Sequence, residues 1–181
     1  QIEATKLLEP IVLPFHDVDG HFSSSAIKEI CKLLPKMDVV LIGPGIGQSV
    51  DTKALTEAIL NNFEGPIILD ADGINVMRTN IDALRGRTFP TVLTPHTGEF
   101  VRIGGILENG RKEGAEALAN NLHAIVVLKG HETVITDGKT TYINETGNPG
   151  MAVGGSGDVL AGIIVSLLGQ HIAPLEAAAM G

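Results

Sequence analysis

The chain has 181 residues, 44% of them hydrophobic and 3% aromatic, with no tryptophan, 22 glycines and a formal net charge of −8. That charge speaks against nucleic acid or an anionic membrane surface as the main partner, and no apolar run reaches the ~20 residues of a membrane span. A single cysteine, Cys31, excludes a disulfide framework and points to a reducing compartment, hence a cytoplasmic location.

In chain order, short β-rich runs alternate with amphipathic segments of helix length. Strands are predicted over 10–13, 38–43, 66–70, 91–94, 125–129, 133–136 and 140–143. Helices are predicted over 23–34, 51–62, 109–121, 157–170 and 174–180, with a shorter turn near 98–103. In the first helix, residues 27, 30, 31 and 34 share a face, which makes Cys31 a small core residue. The runs Val39-Val40-Leu41-Ile42 and Ile125-Val126-Val127-Leu128 lack polar alternation, as strands buried on both faces do. Asp137-Gly138 between two β-rich runs signals a hairpin. The expectation is one α/β domain over 1–181, with a mostly parallel central sheet flanked by helices on both faces in three layers. Gln1 is no initiator methionine, and Leu175 to Gly181 stop inside a helix pattern, so the sequence reads as truncated at both ends.

In such sheets ligands gather beyond the carboxyl ends of the strands. Four polar clusters fall there. Gly43-Pro44-Gly45-Ile46-Gly47 follows a strand and is open to three readings: a dinucleotide fingerprint, a tight turn, or a loop yielding space to a large substrate. The fingerprint reading is weakened by Gln48 at the third glycine position and by Pro44, which has no N–H. Asp70-Ala71-Asp72-Gly73-Ile74-Asn75 could cap a short helix through Asp72 or Asn75, or offer polar contacts to substrate or to metal-bound water. Thr94-Pro95-His96-Thr97-Gly98-Glu99 sets a histidine and a carboxylate three apart; Glu99 is either a helix-start acid or an organiser of a Mg²⁺ hydration shell. Lys129-Gly130-His131-Glu132-Thr133 is either a plain strand-end loop or a contact for phosphate and ribose oxygens. His16, His21, His123 and His171 form no pairing and read as solvated or capping residues.

The stretch Gly147-Asn148-Pro149-Gly150-Met151-Ala152-Val153-Gly154-Gly155-Ser156-Gly157-Asp158 is more specific. It leads into an apolar helix pattern, and a helix start with open N–H groups and little side-chain bulk attracts anions. An aspartate there is best explained by an acceptor hydroxyl that must lose a proton while phosphate charge is held nearby. The combination points to phosphoryl transfer.

Asn148-Pro149-Gly150-Met151-Ala152, followed by Gly154-Gly155-Ser156-Gly157-Asp158-Val159-Leu160, resembles the C-terminal signature of the NAD(P)H-hydrate dehydratases. The other four clusters occur in the order that this family shows, so the resemblance spans roughly residues 38 to 181. It implies a ribokinase-like fold and a lyase of cofactor repair that uses ADP or ATP with Mg²⁺ to return (6S)-NAD(P)HX to NAD(P)H. By carry-over, Asp158 is the catalytic base, and the N–H groups of Gly155, Ser156 and Gly157 form the anion hole. Gly45, Gly47, His96 and Asp158 contact the hydrated cofactor. Lys129, Gly130, His131, Glu132, Thr133 and Gly157 hold the adenine nucleotide, and Glu99 meets Mg²⁺ through water. The resemblance further implies a homo-oligomer, a homotetramer, and a fused or separate NAD(P)HX epimerase. Two other classes stay open: a ribokinase-like kinase of a hydroxymethylpyrimidine or thiazole, and a non-catalytic nucleotide-binding module.

Overall fold

A computed structural model describes residues 10–181. A short hairpin of β1 (Asp17–Val18) and β2 (His21–Phe22) precedes helix α1 (Ser24–Cys31). Then follow β3 (Val40–Ile42), α2 (Val50–Asn62), β4 (Ile67–Leu69), α3 (Asp72–Asn75), α4 (Asp82–Arg85) and β5 (Thr91–Leu93). The chain continues through α5 (Thr97–Arg102), α6 (Arg111–Leu122), β6 (Ile125–Leu128), β7 (Val134–Thr136) and β8 (Thr141–Ile143) to α7 (Ser156–Gly169) and α8 (Pro174–Met180).

The main sheet has six strands in the order β3-β4-β5-β6-β7-β8. β3 to β6 pair in parallel, and β7 and β8 add antiparallel edges. The unbroken apolar runs are explained by two separate cores. Ile67, Leu69, Leu93, Val126 and Leu128 point into one, against Leu55, Ile59, Phe100 and Leu118 of the helices on that face. Ile68, Val92, Ile125 and Val127 point into the other, against Ile164 and Leu168 of α7 and Ala177 of α8. A strand's side chains alternate in direction, so each face must be apolar when each is covered. The expected three-layer α/β/α arrangement is what forms.

Local chemistry sets the element ends. Ser49 caps α2 by accepting from the Thr52 N–H at 3.0 Å. Arg87 donates to the Leu60 carbonyl in the last turn of α2 and to those of Phe63 and Gly65 just beyond it. Asp137 Oδ1 accepts from the N–H groups of Lys139 and Thr140 at 2.9 and 2.7 Å, an Asx turn that closes the β7–β8 hairpin signalled by Asp137-Gly138.

Two expected elements differ. No strand forms over 10–13: Pro10 and Pro14 flank Ile11-Val12-Leu13 and can donate no ladder bond, and Ile11 is 89% exposed. The helix expected over 23–34 stops at Cys31, and Pro35 turns the following residues into a 3₁₀ turn at Leu34–Lys36. Cys31 is partly buried against the core, and that burial pushes its thiol up from the ordinary range. The β1–β2 hairpin adds to the predicted elements; Asp19-Gly20 is its turn, and both residues take positive φ, 51° and 78°.

Candidate functional site

The four strand-end clusters meet at the carboxyl edge of the parallel strands, with Asp70 at their centre. Gly43, just past β3, has a φ of 143°, and a Cβ there would lie 1.6 Å from the Asp70 carbonyl oxygen. The loop that follows is locked to the next cluster: Asp72 accepts from the Gly47 N–H at 3.1 Å and from Gln48 Nε2 at 2.8 Å. Asp72 and Asn75 therefore do not cap α3. Its N-cap position is Ala71, which has a φ of 47°, and Asn75 Oδ1 accepts from Arg102 at 2.8 Å. Gly45 faces open space, whereas Gly47 is covered by the imidazole of His21, whose Nδ1 lies 3.3 Å from the Ile46 carbonyl oxygen. His21 thus packs from β2 onto this loop, half-buried, and caps no helix. His123, at the left-handed end of α6, does fit the capping reading.

Asp70 is 1% exposed. Its Oδ1 accepts from Thr94 Oγ1 at 2.7 Å and from Lys129 Nζ at 2.8 Å. A carboxylate so enclosed is not available to a ribose, which removes the dinucleotide-fingerprint reading of the glycine loop. The Lys129 N–H donates to the Pro95 carbonyl at 2.9 Å, and Lys129 pairs with His96 in an isolated parallel bridge. The ends of β5 and β6 are thereby held side by side.

His96 and Glu99 form a capping box at the start of α5. His96 Nδ1 accepts from the N–H groups of Gly98 and Glu99, and the Glu99 carboxylate accepts from the His96 N–H at 2.8 Å. With Nδ1 accepting, the neutral ring carries its proton on Nε2, which lies 3.4 Å from Glu99 Oε1. The His96 side chain is 54% exposed and that of Glu99 is 5% exposed, so the imidazole faces outward while the carboxylate orients it from below.

In the β6–β7 turn, Gly130 has a φ of 154° and Glu132 a φ of 55°. His131 and Glu132 are exposed, and the Thr133 hydroxyl is engaged within the turn, donating to the Gly130 carbonyl at 3.0 Å. Arg111, unnoticed in the sequence, braces this turn by donating to the carbonyls of Leu128 and Lys129 and to Thr97 Oγ1.

The glycine turn runs into α7. Asn148 caps a 3₁₀ turn at Pro149–Met151, and Gly155 enters the helix with a φ of 90°. Among the described residues, the N–H groups of Gly155, Gly157 and Asp158 meet no protein acceptor; that of Ser156 is directed to the Val153 carbonyl at 3.3 Å. Asp158 is exposed in the first turn of α7. Gly157 is the point of contact with the strand ends, since a Cβ there would stand 3.2 Å from Lys129 Nζ. Among the described residues no cluster of three metal-ligating side chains exists. A magnesium ion carried mainly by nucleotide phosphates and water needs no such cluster. The Glu99 oxygens, each within reach of His96, keep a further lone pair for a bridging water. A cavity of about 310 Å³, lined by residues that include Thr91, His123, Ile125 and Pro174, lies at the opposite ends of the strands. A smaller one of about 270 Å³ adjoins the glycine loop through His21, Ser49 and Asp51.

The family model described as NAD(P)H-hydrate dehydratase matches residues 5–181. A bifunctional NAD(P)H-hydrate repair enzyme of Moorella thermoacetica is 42% identical over 168 residues, which are 90% of this chain and 32% of that protein. The chain thus spans about a third of the length of such relatives. A solved ADP/ATP-dependent NAD(P)H-hydrate dehydratase of Bacillus subtilis, co-crystallised with ATP and Mg²⁺, is 32% identical with a TM-score of 0.65, over 87% of this chain and 63% of that one. A ribokinase-like protein of Enterococcus faecalis is 30% identical with a TM-score of 0.74, over 86% of this chain and 56% of that one. With its glycine turn, aspartate and strand-end clusters inside the matched region, the chain belongs to the NAD(P)H-hydrate dehydratase family.

Proposed function

We propose that this chain performs the ADP- or ATP-dependent dehydration of (6S)-NAD(P)HX to NAD(P)H. The observation that carries the reading is the first turn of α7, which combines an exposed aspartate with open N–H donors and has its Gly157 beside the ammonium of Lys129. Asp158 takes the proton from the C6 hydroxyl of the hydrated ring, and that oxygen attacks the terminal phosphoryl group of the nucleotide. The N–H groups of Gly155 and Gly157 stabilise the charge on the transferred group, with Ser156 joining if its long bond to Val153 yields. Phosphate leaves more readily than hydroxide, so the ring nitrogen lone pair expels it to give an iminium, and loss of a C5 proton to water or to the departing phosphate restores the dihydronicotinamide.

Mg²⁺ bound with the nucleotide would supply neutralisation of phosphate charge, with Glu99 holding it through water. The outward imidazole of His96, oriented by Glu99, contacts the hydrated cofactor together with the Gly45 to Gly47 loop. Of that loop, Gly45 is the position with open space, while His21 occupies the side of Gly47. Lys129 to Thr133 and Gly157 hold the adenine nucleotide, through backbone and the Lys129 ammonium more than through the Thr133 hydroxyl, which is already engaged with the Gly130 carbonyl. A homo-oligomer, a cytoplasmic location and an NAD(P)HX epimerase, fused or separate, complete the reading; relatives named bifunctional, of which this chain spans about a third, leave room for a fused one.

The test is turnover. The full-length protein, incubated with Mg²⁺, hydrated NADH and either ADP or ATP, restores the near-ultraviolet absorbance of the dihydronicotinamide. No recovery with either nucleotide, from folded protein, rejects the proposal. A stable phosphorylated product from a small alcohol would indicate a kinase instead.

A further inference from the structure

A lysine at a strand end ordinarily runs its ammonium out to water. Lys129 instead turns back to Asp70, with its side chain 21% exposed and that of the aspartate 1% exposed. Such a pair is a poor stabiliser, because desolvating both charges costs about as much as their attraction returns. The carboxylate is further fixed by the buried Thr94 hydroxyl at 2.7 Å. Its backbone is fixed as well: the Asp70 N–H donates to the Ile42 carbonyl, and its own carbonyl accepts from the Gly73 N–H at 2.9 Å. Asp70 is therefore a rigid post, and the ammonium is tied to it.

The place where the ammonium is held is the first turn of α7. A Cβ on Gly157 would stand 3.2 Å from Lys129 Nζ and 4.0 Å from Asp70 Oδ2. We propose that Asp70 is a positioning residue: it pins the Lys129 ammonium beside this turn, so that a transferred phosphoryl group meets backbone donors and a cation already in place. The proposal rests on reading the turn as the phosphoryl site. It also accounts for glycine at 157, where a Cβ would shift the ammonium by a few tenths of an ångström or more. Charge alone predicts the opposite sign. A carboxylate beside a phosphate repels it, so neutralising Asp70 would tighten nucleotide binding if position did not matter.

The test uses the full-length protein with ATP binding measured by calorimetry and turnover on hydrated NADH. Asp70→Asn keeps the side-chain shape and removes the charge that holds the ammonium. A misplaced cation is expected to lower kcat by about 10–100-fold and to raise the Kd for ATP by a smaller factor. Gly157→Ala guards against a folding failure of that variant: alanine is the better helix former, so Tm holds or rises, while its methyl group displaces the ammonium and kcat falls. The double variant Asp70→Asn with Lys129→Ala is expected to be no slower than Lys129→Ala alone. Unchanged or tighter ATP binding by Asp70→Asn, unchanged kcat in Gly157→Ala, or losses that multiply in the double variant would each overturn the proposal. If Lys129→Ala binds ATP as the parent does, the proposal falls while the dehydratase reading stands. If the parent binds ATP without restoring NADH, that reading falls and the ATP affinities still judge Asp70.

Discussion

Replacing Gly43 by alanine should be the most damaging single-methyl change in the glycine loop. Two terms add. Its φ of 143° is unfavourable for any residue with a Cβ, at about 1–2 kcal/mol. The new Cβ would also lie 1.6 Å from the Asp70 carbonyl oxygen and 2.6 Å from its carbon, backbone atoms held by the bonds to Ile42 and Gly73. Relieving such a contact shifts backbone at about 1–3 kcal/mol, for a sum of roughly 2–5 kcal/mol. Gly45→Ala is the internal control. Its φ of 71° carries the conformational term, but its Cβ would meet nothing within 4 Å. In a domain of this size each kcal/mol moves Tm by about 2–4 °C. Scanning calorimetry should therefore show a drop on the order of 10 °C for Gly43→Ala and about 3–5 °C for Gly45→Ala. Equal drops would refute the close packing of the β3 end on Asp70.

Three further outcomes are expected. Asp158→Asn should slow turnover by about 10²–10⁴ with ATP affinity largely kept, the signature of a lost general base; a near-normal rate would remove Asp158 from the chemistry. Asp72→Ala frees the Gly47 N–H and Gln48, so stability should fall by about 1 kcal/mol and the KM for hydrated cofactor should rise several-fold; an unchanged KM would detach this loop from the substrate. The backbone N–H groups of Thr140 and then Lys139 hold the Asp137 carboxyl below its usual range. A lowered folded pKa gives stability that is present above the ordinary carboxylate pKa and is lost as pH falls through the lower folded value. The Tm advantage of the parent over Asp137→Asn should thus shrink as the medium is acidified below about pH 4, and a gap that widens would contradict it.

The fold was largely legible because its signals are local and repeated. Unbroken apolar runs announced strands covered on two faces, and Ile67 to Leu69 divide between two cores as such runs require. Ile11 to Leu13 misled for the same reason: three apolar residues look like a strand until the flanking prolines are weighed. The pairing of Asp70 with Lys129 spans 59 residues, and no local pattern reports it. Arg111 likewise reads as an ordinary helix-start residue, and only its bonds to the β6 carbonyls reveal the brace. The convergence at the strand ends could be anticipated from topology; which side chain would stand at its centre could not.

The order of the sheet bears on when a working site can exist. Parallel partners such as Val40 and Ile67, Ile67 and Thr91, or Val92 and Ile125 lie roughly 24 to 33 residues apart, so the sheet can grow by adding each new strand to the one before. α7 breaks that sequence, because it packs back across β3 and covers Val39 and Leu41, which leave the ribosome more than a hundred residues earlier. The glycine turn rides on this returning helix. A nascent chain can therefore hold a nearly complete sheet and still lack both its second core and its phosphate donors. Docking of α7 therefore brings Ile164 and Leu168 to the second core and the glycine turn to the strand ends in one event.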